Sequence, residues 1–65
     1  MSHTINQGIV LGMKQIGFEF IKYDENNNVV YFTNYQNQSN EVIDRAKIIF
    51  EKMYGLKIVV EGDKQ

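Results

Sequence analysis

Few side chains in this chain could do chemistry, and their spacing argues against it. There is no Cys, and the single His is His3. Nucleophilic catalysis needs a nucleophile, a neighbouring base and a third group that orients the base. Ser2 and Ser39 are the hydroxyl candidates besides threonine, and both stand at expected helix starts, where such side chains cap backbone N–H groups. Paired carboxylates could share acid–base work. Asp24 and Glu25 are adjacent, but they fall in an Asn-rich turn, where solvated acids are ordinary. Glu41 and Asp44 share the first turn of a helix, where negative charge suits the helix dipole. Without thiolates, and with its one imidazole expected in a frayed end, the chain is not expected to hold zinc. Neither phosphate-binding spacing, G-x-x-x-x-G-K or G-x-G-x-x-G, occurs. The segment Gly8-Ile9-Val10-Leu11-Gly12 matches G-x-x-x-G, which outside a membrane reads as close approach of a helix to a sheet. These residues predict no catalytic group, no metal and no cofactor.

With 65 residues the chain predicts one domain, 1–65, with loose ends near 1–3 and 62–65. A chain this short buries only about 60% of the surface its unfolded form exposes. Small domains are commonly reinforced by disulfides, a metal or a partner subunit. The first two are not expected, which leaves self-association or another macromolecule. Seven Lys plus Arg stand against eight Asp plus Glu, for a net charge of −1. That balance disfavours nucleic acid, which calls for a basic face. No apolar run approaches the ~20 residues of a membrane span. No basic segment leads into an apolar block near the first residue, so no secretory signal is expected. The absence of Cys fits a reducing cytoplasm. Abundant Ile, Asn and Lys, with no Pro or Trp, suggest an AT-rich genome such as that of a low-GC bacterium or its phage.

Periodicity places five elements. Residues 4–16 lean helical: Ile5, Ile9, Gly12 and Ile16, with Val10 and Met13 beside them, form one broad stripe. Thr4 or Ser2 would cap it and Gly17 would end it. Two interior glycines weaken that helix, and a strand through Gly8–Gly12 is the rival. Phe18–Tyr23 and Val29–Tyr35 alternate as strands around the turn Asp24–Asn28. A long loop over that turn would place Phe20 opposite Phe32 and Ile21 opposite Tyr31. A two-residue Asn26-Asn27 turn would instead pair Ile21 with Phe32, and the long loop is the favoured reading. Ser39 or Asn40 caps a clear helix, Glu41–Tyr54, whose stripe is Val42, Ala46, Ile49 and Met53, widened by Ile43 and Phe50. After Gly55, Leu56–Glu61 forms a last strand.

The fold class is therefore α+β, in the order α-β-β-α-β, with two helices on one face of a small three-stranded sheet. Phe18, Phe20, Val30, Phe32, Leu56, Ile58 and Val60 would meet the helices. The last strand would run parallel to the second. The segment Met13–Ile21 resembles the helix-to-strand entry of HicA-type mRNA-interferase toxins, which have a small double-stranded-RNA-binding-like fold. The Gly-Ser-His triplet of that family, which carries its catalytic His, has no match here. That fold also has three strands before its second helix where two are expected here, so no residue and no activity carries over.

The outer sheet face would hold Ile21, Tyr23, Val29, Tyr31, Tyr35 and Val59, more apolar surface than a solvated face needs. The expected function is that of a small cytoplasmic regulatory or inhibitory protein that binds another protein, or itself as a homodimer, through this face. A phage or mobile-element inhibitor of a host factor fits the composition. The alternatives are a nucleic-acid-binding module that uses the same aromatics and a homo-oligomer that binds a small ligand between subunits.

Overall fold

A computed structural model describes residues 5–61. The element order is α1 (Gln7–Ile16), β1 (Glu19–Asp24), β2 (Val29–Thr33), α2 (Asn40–Tyr54) and β3 (Lys57–Glu61). The strands form one sheet in the order β1-β2-β3, β1 antiparallel to β2 and β3 parallel to it. This is the expected α+β arrangement. The ends expected to be loose, 1–3 and 62–65, lie outside the described residues.

The helical reading of the first segment holds, and the rival strand through Gly8–Gly12 does not form. Its cap is Asn6, whose Oδ1 accepts from the Gly8 N–H at 2.7 Å; Thr4 and Ser2 lie outside the described residues. Gly17 ends the helix at φ 121°, a conformation closed to most L-residues. The interior glycines make room for α2. A Cβ on Gly8 would lie 2.7 Å from the Tyr54 hydroxyl, and one on Gly12 would lie 2.8 Å from the Phe50 ring. The close approach is thus to the aromatic rings of α2, not to the sheet.

This contact sets which face of α2 turns inward. Phe50 and Tyr54 stack at 6.1 Å between centroids, and together with Val42, Ile43 and Ala46 they pack on the core. Ile49 and Met53, expected in the core stripe, are 53% and 62% exposed. A helix stripe this wide fits several rotations on a sheet. Seating the two rings beside Gly8 and Gly12 favours one that leaves Ile49 and Met53 outside. The core proper joins Ile9 and Met13 of α1 to Phe18, Val30, Phe32, Ala46 and Ile58. Phe20, Leu56 and Val60 pack around it, half-buried.

Two asparagines tie the loops to this core. Asn28, at φ 57°, takes the Tyr23 hydroxyl hydrogen at 2.6 Å and donates from Nδ2 to the Gly55 carbonyl at 2.8 Å. The turn of the hairpin is thereby fastened to the junction of α2 and β3. Asn34 is buried, 7% exposed. Its Oδ1 accepts from the Gln38 N–H at 2.8 Å and its Nδ2 donates to the Gln38 carbonyl at 3.0 Å. The Gln38 side chain donates onward to the Ile16 carbonyl at the end of α1. Asn34 and Tyr35 lie beyond β2, although the sequence pattern runs the strand through them: the Asn34 N–H still reaches the Glu61 carbonyl at 3.2 Å, and the side-chain ring with Gln38 then turns the chain away.

Replacing Asn34 by Ala removes both bonds to Gln38 and should destabilise the domain by about 1–3 kcal/mol. A urea titration should show a lower midpoint with an unchanged slope. The exposed neighbour Gln36→Ala should shift it far less, and equal shifts would remove the role assigned to Asn34.

Candidate protein-binding face

The geometry of the outer sheet face starts from the hairpin turn. The Asp24 carboxylate accepts from the backbone N–H groups of Asn26 at 3.1 Å and Asn27 at 3.4 Å, and from the Asn27 side chain at 2.8 Å. The Asn27 side-chain bond is the main reason that the Asp24 carboxyl sits below its ordinary pKa of 3.8. Closed in this way, the turn pairs Asp24 with Val29, Tyr23 with Val30 and Lys22 with Tyr31. At the far end of the hairpin, the Phe20 and Phe32 rings meet edge-on at 6.1 Å and pair one residue out of step with the turn. The mismatch is absorbed between Phe20 and Lys22, where Ile21 is the surplus residue of a β-bulge.

Each of the two registers weighed from sequence thus describes half of the hairpin. Phe20 does face Phe32, but Ile21 faces neither Tyr31 nor Phe32. Alternation inverts across the bulge, and three expected positions change. Tyr23 turns to the core side, half-buried and bonded to Asn28. Lys22 takes the outer position opposite Tyr31. Ile21 stands at the bulge, 42% exposed. Tyr35 lies in the turn after β2, beyond the ladder, and is 49% exposed. Val29, Tyr31 and Val59 are on the outer face as expected.

The pairings arrange this face in rows across the strands: Asp24–Val29–Lys57, then Lys22–Tyr31–Val59, then Glu19–Thr33–Glu61. Val29, Tyr31 and Val59 form a contiguous, half-buried apolar centre. Charged residues stand around it, and the Lys22 ammonium lies 4.9 Å from the Tyr31 ring centroid, a cation–π contact. Lys22 was not expected in this set, because a bulge leaves no trace in the alternation that would place it there. Other apolar side chains are more exposed than this centre. Leu11 on α1 and Ile48 on α2 stand 59% and 65% exposed, beside Ile49 and Met53.

Among the described residues, no group of three or more His, Cys, Asp or Glu side chains is placed to hold a metal ion, and no helix is long and apolar enough to cross a membrane. Comparison with known proteins gives no match to a family model, to a characterised protein or to a solved structure.

The lowered pKa of Asp24 fixes a sign. A carboxyl that ionises more readily in the folded state stabilises the fold above its unfolded pKa, and that contribution fades as pH falls through the folded value. Wild type should therefore exceed Asp24→Ala in urea resistance at neutral pH, and the gap should narrow on acidification below 3.8. A gap that does not change with pH would show that the Asp24 charge plays no part in the turn.

Proposed function

We propose that this chain acts by binding rather than catalysis, as a small regulatory or inhibitory protein that contacts another protein through the outer face of its sheet. The observation that carries the reading is the apolar centre Val29–Tyr31–Val59 set inside Glu19, Lys22, Asp24, Lys57 and Glu61. An apolar middle inside a polar rim is the usual anatomy of a protein interface. Tyr31 sits at its centre, where Tyr contributes area with a polar end. Ile21 and Tyr35, both exposed, extend the surface at its margins. Tyr23 takes no part, since it faces inward.

A cytoplasmic setting belongs to the same proposal, supported by the cysteine-free composition. So does an origin in a phage or mobile element with a host factor as target, supported by composition alone. Base stacking on Tyr31 is the rival use of the face, and the mixed charge around the ring weighs against it.

The test is retention of partners from host extract by the tagged chain. Tyr31→Thr keeps a strand former and removes the ring, and it should weaken a bound protein by about 2 kcal/mol, roughly thirtyfold. Leu11→Ser, on the far layer, should leave retention unchanged. If the two variants hold the same proteins as wild type, the face is not the binding surface. A salt-dependent gel shift with single-stranded RNA that Tyr31→Thr abolishes would replace protein by nucleic acid.

A further inference from the structure

The free edge of β3 carries information that the faces do not. Among the described residues β3 is the last strand of the sheet, with β2 on one side only. The Lys57 N–H donates to the Asn28 carbonyl at 3.0 Å, and the Asn34 N–H donates to the Glu61 carbonyl at 3.2 Å. In a parallel ladder alternate residues of a strand bond to the same neighbour. Lys57, Val59 and Glu61 therefore direct their backbone groups at β2, and Ile58 and Val60 direct theirs at the open side. The open side is not free at Ile58. The Glu51 carboxylate reaches down from α2 and accepts the Ile58 N–H at 2.8 Å.

We infer that this edge is a pairing surface for a second copy of the chain, masked by Glu51. The sequence of β3, Lys57-Ile58-Val59-Val60-Glu61, is complementary to itself when reversed. Two copies laid antiparallel, with Val59 on the symmetry axis, place Lys57 of each opposite Glu61 of the other. In that register Ile58 faces Val60 of the second copy. These are the residues whose N–H and C=O groups point outward, so the hydrogen bonds and the charges call for the same alignment. The outer face gains continuity, because the row Lys22–Tyr31–Val59 runs on into Val59 and Tyr31 of the second copy. The interface is isologous, as closed dimers require. The opposite edge is less suited, since the bulge at Ile21 interrupts β1. Glu51 occupies the seat that the Val60 carbonyl of the second copy would take, so pairing requires its carboxylate to swing away. An inward-reaching acid at an edge is a known guard against strand addition.

Sedimentation equilibrium over a wide concentration range tests the inference, with circular dichroism melts to confirm folding. Glu51→Ala should tighten self-association about tenfold, since the lost bond was a charge-assisted one competing for the edge. In that background Lys57→Glu and Glu61→Lys should each weaken the dimer, and the two together should restore it. If Glu51→Ala does not fold, the same charge series in the wild-type chain at NMR concentrations decides. A Glu51→Ala chain no more associated than wild type overturns the inference, and so does a double variant as weak as either single one. The reading stands apart from the outer-face proposal. Tyr31→Thr should leave the dimer intact while losing the partner, and a dimer lost with that ring would overturn the edge pairing.

Discussion

One surplus residue decides which side chains of this sheet meet the core. Ile21 takes up a mismatch between two local demands, the edge-on fit of Phe20 against Phe32 and the turn that Asp24 closes over Asn26 and Asn27. Neither demand yields, because the first packs the half-buried Phe20 edge-on against the buried Phe32 and the second is a charged group holding backbone donors. The bulge is where the two registers are reconciled. Because side chains alternate with a period of two, one extra residue turns Tyr23 inward and Lys22 outward. The apolar centre of the outer face is narrower as a result, and one of its charges lies over its central ring.

In so small a domain the polar loops complete what the core begins. Asn28 bonds to both the hairpin and the junction after α2, and Asn34 with Gln38 joins the end of β2 to the C-terminal end of α1. Each satisfies backbone groups that would otherwise be left at the rim of the core. Glu51 does the same for β3, and in doing so closes part of an edge. Gly8 and Gly12 complete the set by letting α1 settle against Phe50 and Tyr54. The exposed Ile49 and Met53 are the counterpart of that settling, since the rotation that seats the rings lifts them from the core.

The order of elements, the parallel last strand and most of the core were legible in the sequence, because each rests on local signals that agree. Ile9 and Met13 share a helix stripe, Val30 and Phe32 alternate with Tyr31, and Gly17 and Gly55 end helices by backbone freedom. The absence of thiols and the near balance of charge were equally plain. The tertiary structure alone decided the faces. Whether Tyr23 is wet or buried depends on a bulge created by two distant fits. Whether Ile49 or Tyr54 points inward depends on where α1 leaves space. Whether the edge of β3 is open depends on a carboxylate one turn before the end of α2. Periodicity describes each element in isolation, and these outcomes are set by contacts between elements, where one residue or a modest rotation exchanges core for surface.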